Sequence, residues 1–85
     1  MKISVIIRYR DEERHIGYCL QSVVDFLGND LQVILVDNCS TDNSIRIANT
    51  FDYLQIDKLE VSRNDYTPGK ALNLGVKKAT GDLIL

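Results

Sequence analysis

The sequence predicts an α/β protein in which a parallel sheet lies between two layers of helices. Two hydrophobic periods alternate along its 85 residues, one typical of buried strands and one of amphipathic helices. The resulting order is β-α-β-α-β-α-β, and helical connections between successive strands require parallel pairing with right-handed crossovers. The composition agrees, because 45% hydrophobic and 26% charged residues are typical of a single globular domain.

Four short segments have the character of strands. Residues 3–7 and 33–36 are continuous apolar runs, so both are predicted to be buried on both faces of the sheet. Residues 59–61 mark a weaker third strand, and residues 83–85 begin a fourth. Because the fourth strand has barely begun at the last residue, we expect residues 1–85 to be the N-terminal part of a larger domain, incomplete at its C-terminus.

Three amphipathic helices are predicted between these strands. Residues 11–30, 40–54 and 67–82 carry apolar side chains at helical spacing, and Asp11 and Thr67 are suitable N-caps for the first and third helices. In the last two helices, the residues predicted to face the sheet are Ile45, Ala48, Phe51, Ala71, Leu72, Val76 and Ala79.

Composition also excludes several classes of protein. The net charge of -2 gives no basic surface for nucleic acid, and no apolar run approaches the roughly 20 residues that span a bilayer. Cys19 and Cys39 do not have the spacing of a metal site, which favours two reduced thiols. We therefore expect a cytoplasmic protein with no nucleic-acid partner, with the cytoplasmic face of a membrane as an alternative location for the complete protein.

Polar residues follow the ends of the predicted strands. Ligands of open parallel sheets bind beyond the carboxyl ends of the strands, and a helix that begins at Thr67 would direct backbone N–H groups toward the same edge. The candidate binding residues are therefore Arg8, Arg10, Asp37, Asn38, Asn64, Asp65, Gly69 and Lys70.

Each candidate has a second, purely structural interpretation. Asp37 can accept hydrogen bonds from a ligand, or it can bind loop amides in an Asx turn. Arg8 and Arg10 can clamp phosphate oxygens, or they can pair with neighbouring carboxylates. Lys70 can contact an anion at the helix start, or it can be a solvated lysine.

Three segments together resemble the opening of the family 2 glycosyltransferases, which have the GT-A fold. "ISVIIRYRDEERHIGYCLQSV" is similar to that family's first strand, T-Y-N-E-E-type turn and helix. "VILVDNCSTDNS" is similar to its V-V-D-D/N-G-S-T-D strand and turn. "GKALNLGVKKATGDLIL" is similar to the A-x-N-x-G-x-x-x-A-x-G segment that leads to its metal-binding D-x-D. These segments cover nearly the whole chain in the family's order.

The resemblance implies a three-layer, Rossmann-like sheet that carries the donor nucleotide-binding half of a sugar transferase. The partners it implies are a nucleotide-sugar donor and an acceptor that is a sugar, a lipid or a protein. It also implies a divalent metal, Mg²⁺ or Mn²⁺, held by a D-x-D beyond residue 85, with no metal and no catalytic residue in this chain, which alone would be inactive. Asp37 would contact the donor's base beside Asn38, and the cleft would be lined by Arg8, Arg10, Asn64 or Asp65, Gly69 and Lys70.

The sequence departs from the family pattern at two positions. Arg10 stands where the first loop usually has a tyrosine, and Cys39 replaces a glycine, so the second turn either has a less positive φ or is strained. One alternative is a Rossmann dinucleotide-binding unit, for which Asp37 is well placed, but residues 8–15 contain no glycine. The other is a non-catalytic interaction module that uses the open edge of the fourth strand, which would also allow self-association.

Overall fold

A computed structural model describes residues 2–28, 30–62 and 67–85 of the chain. The sheet has the order β3-β2-β1-β4, and every recorded strand pair is parallel. The predicted element order and parallel sheet are therefore confirmed. The elements are β1 (Ile3–Tyr9), α1 (Ile16–Leu27), β2 (Leu31–Asp37), α2 (Ser44–Ala48), β3 (Gln55–Glu60), α3 (Pro68–Lys78) and β4 (Leu83–Ile84).

The central strand β2 divides the core into two layers. All of its residues are buried, as expected for a strand covered on both faces. Val33 and Leu35 pack in a cluster with residues of α1 and α2, whereas Ile34 and Val36 pack in a second cluster with Ala71 of α3. The sheet thus lies between α1 and α2 on one face and α3 on the other, which confirms the three-layer arrangement.

The strands differ in extent from the sequence prediction. β1 and β2 pair from Ile3 opposite Leu31 to Tyr9 opposite Asp37, so both are longer than the apolar runs that indicated them. β3 begins at Gln55, earlier than the predicted residues 59–61, because it pairs with β2 along its whole length. β3 is the outer strand of the sheet and pairs only with β2 among the described strands, so it can contain polar residues.

The starts of the helices confirm one predicted cap and correct another. Thr67 is the N-cap of α3, since its Oγ1 accepts a hydrogen bond from the Lys70 amide at 3.1 Å. Asp11 does not cap α1, which begins at Ile16. Its carboxylate instead accepts a hydrogen bond from the Thr41 amide at 2.7 Å, so it connects the first loop to the second.

The inward face of α3 is narrower than predicted. Ala71 and Gly75 are buried against the sheet, but Leu72 and Val76 are 43% and 49% exposed, so their prediction as sheet-facing residues is wrong. A Cβ on Gly75 would lie 2.6 Å from Cγ2 of Ile6, which shows how closely the helix approaches the strand. The helix therefore packs against the sheet through two small residues, Ala71 and Gly75.

The remaining predicted inward residues occupy the core or its margin. Ala48 is fully buried, and Ile45, Phe51 and Ala79 are partly buried against the two clusters. Within the described ranges, no helix has the length and apolar character needed to cross a membrane.

Candidate nucleotide-binding site

Asp37 is the last residue of β2, and its side chain is anchored at the carboxyl edge of the sheet. It is only 5% exposed. Its Oδ1 accepts hydrogen bonds from the amide of Ser40 at 2.9 Å and from the hydroxyl of Ser40 at 2.6 Å. Oδ1 of Asp37 therefore binds the loop, as the Asx-turn interpretation of the sequence predicts. An anchored carboxylate at this edge also presents a fixed acceptor, since an ionised carboxylate has two oxygens and several lone pairs.

The first two loops at this edge are joined by reciprocal hydrogen bonds. The Asp11 amide donates to Ser40 Oγ at 2.9 Å, and the Glu13 amide donates to Asp42 Oδ2 at 3.0 Å. In the other direction, the Thr41 amide donates to Asp11 Oδ1. These bonds fix the first loop, residues 10–15, against the second loop, residues 38–43.

Asp42 is the acidic centre of the second loop. Burial alone would raise the pKa of its carboxyl, but hydrogen bonds from the hydroxyl and amide of Ser44 and from the Glu13 amide outweigh burial and lower that pKa. The Ser44 hydroxyl lies 2.5 Å from Asp42 Oδ1. The loop is therefore stabilised with Asp42 in its charged form.

Both loops contain a residue in the left-handed region. Asp11 has φ of 50° and Cys39 has φ of 53°, so Cys39 adopts the conformation that a glycine at this position would take more easily. This conformation costs an L-residue on the order of 1–2 kcal/mol. The Cys39 thiol lies 3.3 Å from the Val61 carbonyl oxygen, a contact that holds the strained turn against the chain beyond β3. The sequence allowed either a less positive φ or a strained turn at Cys39, and the positive φ shows that the turn is strained.

Two buried polar atoms lie beneath these loops without a hydrogen-bond partner among the described residues. They are Oη of Tyr9 and Oδ1 of Asn38. Burial raises the pKa of Tyr9, and the negative charges of Asp37, Asp42 and Glu60 raise it further. Tyr9 belongs to the core cluster on the α1 and α2 face, whereas Arg10, the next residue, is exposed in the first loop.

The two arginines of the first strand and loop are both exposed. Arg8 follows Ile6 by two residues, which places it on the sheet face that α3 covers. Asp37 follows Leu35 by two residues and belongs to the opposite face, so these two residues reach the carboxyl edge from different sides. The Nε atom of Arg10 lies 3.8 Å from Asp11 Oδ2, an exposed ion pair of the kind that contributes little to stability.

The first turn of α3 completes the described part of the edge. Gly69 and Lys70 are exposed there, and among the described residues no atom beyond the chain neighbours and the helix's own backbone lies within 4 Å of a Cβ built on Gly69. Ala71, in the same turn, packs with Val36 near the end of β2, which places this helix start beside the carboxyl edge. Asn64 and Asp65 lie outside the described residues.

Ser40, Lys58 and Glu60 are residues of this edge that sequence reasoning did not identify as parts of a site. With Asp37, Ile45 and Leu59 they line an open cavity of about 340 Å³ beside the second loop. The three-residue spacing from Asp37 to Ser40 is a signal for an Asx-type turn, so the role of Ser40 could have been found. Lys58 and Glu60 had no such signal, because their position depends on the register of β3 with β2.

A parallel sheet with polar side chains and an open helix start at its carboxyl edge is the arrangement in which open α/β proteins bind ligands. The family model described as "Glycosyl transferase family 2" matches residues 4–85. The chain therefore belongs to glycosyltransferase family 2, which confirms the resemblance seen in the three sequence segments.

Individual relatives and solved structures agree with this family. Poly(ribitol-phosphate) beta-N-acetylglucosaminyltransferase TarS of Staphylococcus aureus is 33% identical over 88 residues, covering 100% of this chain and 15% of the relative. Poly(ribitol-phosphate) beta-glucosyltransferase of Bacillus spizizenii is 36% identical over 89 residues, covering 100% of this chain and 14% of the relative. The chain thus spans only a small part of the length of these curated relatives.

The similarity extends to three-dimensional structure. Staphylococcus aureus TarS 1-349 in complex with UDP matches with a TM-score of 0.85 and 33% identity, over 100% of this chain and 26% of that one. The mannosyltransferase PcManGT of Pyrobaculum calidifontis in complex with GDP-Man and Mn²⁺ matches with a TM-score of 0.77 and 27% identity, over 96% of this chain and 25% of that one. The predicted GT-A fold is therefore confirmed.

Proposed function

We propose that residues 1–85 bind the nucleoside diphosphate part of a nucleotide-sugar donor for an enzyme that transfers the sugar to an acceptor. The position of Asp37 carries this proposal. It ends the fully buried central strand at the carboxyl edge, and Ser40 holds one oxygen of its carboxylate. Because a carboxylate only accepts hydrogen bonds, the group it recognises is a donor, such as the ring N–H of uracil, thymine or guanine.

Asn38 adds a second acceptor beside Asp37. Its side-chain Oδ1 is buried and has no hydrogen-bond partner among the described residues. An unpaired buried acceptor costs stability, and a ligand donor placed beside it would remove that cost. This supports a role for Asn38 in the base-binding part of the site.

The cations of this edge would bind the diphosphate. Arg8 is the second-last residue of β1, Arg10 begins the first loop, and Lys70 lies in the first turn of α3. An arginine fork matches the geometry of phosphate oxygens, and a helix N-terminus favours an anion. The open space around Gly69 allows a phosphate to approach the backbone. By resemblance, Asn64 or Asp65 would line the same wall.

By resemblance to the family, the metal and the chemistry of transfer would belong to residues outside this chain. The 85 residues contain no Asp-x-Asp triplet, and the described residues contain no group of three His, Cys, Asp or Glu arranged for a metal. In the complete enzyme, Mg²⁺ or Mn²⁺ bound elsewhere would stabilise the charge that develops on the leaving diphosphate. The base that activates the acceptor and the acceptor site itself would also lie elsewhere, whether the acceptor is a sugar, a lipid or a protein.

We therefore expect residues 1–85 alone to transfer no sugar. The test is a donor-turnover assay with Mn²⁺ or Mg²⁺ on the purified chain, beside an intact family 2 enzyme as positive control. Metal-dependent transfer by the chain at a comparable rate would show that the catalytic centre has been misplaced.

The central experiment is a calorimetric titration of the protein with UDP, GDP, dTDP and CDP. We expect at least one of the first three to bind, and to bind more tightly than CDP, because cytosine has an acceptor in place of the ring N–H. Absence of binding by all four, with a folded protein, would contradict the proposed function. Stronger binding of CDP would contradict the assignment of the base to Asp37.

A further inference from the structure

We infer that Ser40 is a positioning residue for donor recognition, whose hydroxyl joins the first loop to Asp37 and fixes the direction in which that carboxylate meets the base. The inference rests on the proposed function and adds a residue to it. Ser40 itself need not contact the nucleotide, because its effect would be transmitted through the orientation of Asp37.

The hydroxyl of Ser40 is part of a chain of hydrogen bonds. It accepts from the Asp11 amide at 2.9 Å and donates to Asp37 Oδ1 at 2.6 Å. Since the hydroxyl has a single proton, a donor on one side directs that proton toward the carboxylate on the other. The short distance to Oδ1 is typical of a hydroxyl bonded to an ionised carboxylate.

Both hydrogen bonds from Ser40 end on the same oxygen of Asp37. The amide of Ser40 lies 2.9 Å from Oδ1, in addition to the hydroxyl at 2.6 Å. Rotation of the carboxylate about its χ2 angle would lengthen both bonds, so the plane of the group is held. The direction of Oδ2 is thereby set before any ligand arrives, and such preorganisation increases both affinity and selectivity.

The first loop supplies a rigid anchor for this chain of bonds. Asp11 Oδ1 accepts from the amides of Thr41 and Asp42 at 2.7 and 3.3 Å, while the Asp11 amide donates to Ser40. The orientation of Asp37 therefore depends on the conformation of the loop that also carries Arg10. Through Ser40, the wall proposed for the phosphates is connected to the residue proposed for the base.

A second chain of the same kind provides a matched control. The Glu12 amide donates to Ser44 Oγ at 2.8 Å, and this hydroxyl donates to Asp42 Oδ1 at 2.5 Å. It also joins the two loops, but it ends on Asp42 and not on Asp37. Ser44 is fully buried, so its substitution should disturb the loops at least as much as substitution of Ser40.

The experiment measures nucleotide affinity and base preference together. Affinities for the tightest binder among UDP, GDP and dTDP, and for CDP, are determined for the wild type, Ser40→Ala, Ser40→Thr and Ser44→Ala. In Ser40→Ala we expect the affinity for the tightest binder to fall about three- to tenfold, as for loss of one hydrogen bond, and its preference over CDP to fall by a similar factor. Ser40→Thr keeps a hydroxyl, so we expect its nucleotide affinity and its preference over CDP to equal those of the wild type.

Two results would contradict the inference. Wild-type affinity and preference in a folded Ser40→Ala variant would overturn it, as would an equal loss of preference in Ser44→Ala, which would indicate general loosening of the loops. If Ser40→Ala does not fold, Ser40→Cys, which replaces a strong donor with a weak one, must show the same loss of preference. If Asp37→Ala weakens binding while Ser40→Ala does not, the proposed function stands without this inference. If neither Asp37→Ala nor Ser40→Ala weakens binding, the base-binding role proposed for Asp37 and the positioning role inferred for Ser40 are both wrong.

Discussion

Both ends of the sheet carry buried polar side chains, and among the described residues those at the amino end are hydrogen-bonded whereas two at the carboxyl end are not. At the amino end, Gln32 is 1% exposed, and its Oε1 accepts from the Ser4 hydroxyl at 2.7 Å and the Thr80 amide at 2.8 Å. Its Nε2 donates to Asp57 Oδ2 at 2.6 Å. At the carboxyl end, the hydroxyl of Tyr9 and the side-chain Oδ1 of Asn38 are buried without a hydrogen-bond partner in the described part of the chain.

The amino-end network fastens the segment between α3 and β4 to the sheet. The Gly81 amide donates to Ser4 Oγ at 2.8 Å, and a Cβ on Gly81 would lie 2.6 Å from that same oxygen. Fully bonded buried networks stabilise one structure, whereas unpaired buried polar atoms lower stability. The comparison therefore assigns a stabilising role to the amino end, and it supports the ligand site that we propose at the carboxyl end.

The strongest test of this comparison is Gln32→Ala. The substitution removes the centre of the network and leaves several buried groups without partners, so we expect the free energy of unfolding to fall by about 2–4 kcal/mol. Urea denaturation measures this loss. Nucleotide affinity of the remaining folded protein should be unchanged, because Gln32 lies at the opposite end of the sheet from Asp37.

The control for this substitution is Gln21→Ala. Gln21 is an exposed glutamine of α1 whose side chain donates to Asp25 at 2.9 Å, so the same chemical change should alter stability by less than about 0.5 kcal/mol. An equal loss in the two variants would show that burial and the network do not determine the effect.

At the carboxyl end, Asp37→Ala should weaken nucleotide binding, which Gln32→Ala should leave unchanged. Loss of a hydrogen bond to a charged group costs about 1.5–3 kcal/mol, which weakens nucleotide binding by roughly 10- to 150-fold. Calorimetric titration measures the affinity, and Asp25→Ala, at an exposed aspartate of α1, is the matched control. Unchanged affinity in a folded Asp37→Ala variant would mean that this carboxylate serves only the turn.

This contrast between the ends was only partly accessible from the sequence. The order of elements, the parallel sheet and Asp37 at a strand end follow from the alternation of helical periodicity with continuous apolar runs, and burial on both faces gives β2 such a run. The family resemblance of three segments was also sufficient to predict the GT-A fold. The role of Asp11 was mistaken, because an acidic residue before a helix signals a cap whether its carboxylate binds that helix or another loop.

Other features depended on contacts between distant residues. The hydrogen bonds of Gln32 join residues that are 25 to 48 positions apart in sequence, and no local pattern encodes such pairs. Leu72 and Val76 have the spacing of an inward helical face, but the close approach of Gly75 to Ile6 decides which face packs. Local periodicity therefore predicts elements better than it predicts their rotation against the sheet.

A smaller effect is expected where the carboxyl end meets the diphosphate. Lys70→Ala should weaken binding of a nucleoside diphosphate about two- to fivefold and leave binding of the nucleoside unchanged, because an exposed cation contributes up to about 1 kcal/mol. The effect should shrink as salt is raised. Lys77→Ala, in the last turn of α3, is the control, and equal losses from the two lysines would contradict a local phosphate contact.

The smallest effect at neutral pH is expected for Tyr9→Phe, which deletes a buried hydroxyl with no partner among the described residues. Removing an unbonded polar atom relieves its desolvation, so the free energy of unfolding should stay unchanged or rise by up to about 1 kcal/mol. This is the reverse of the loss expected for Gln32→Ala. A loss above 1 kcal/mol, measured by urea denaturation at pH 7, would mean that the hydroxyl is bonded and that the two ends do not differ.

Alkaline pH should then enlarge the difference between Tyr9→Phe and the wild type. Burial and the nearby charge of Asp37 raise the pKa of Tyr9 above its ordinary value of 10.0, so the unfolded chain releases this proton at a lower pH than the folded protein does. Stability that depends on Tyr9 is therefore complete below pH 10 and falls above it, by at most about 1.4 kcal/mol per pH unit. Tyr9→Phe lacks this loss, whereas Tyr18→Phe, at an exposed tyrosine, should retain it. Parallel alkaline stability curves for wild type and Tyr9→Phe would show that the hydroxyl ionises as easily in the folded protein as in the unfolded chain, which is incompatible with burial beside three carboxylates.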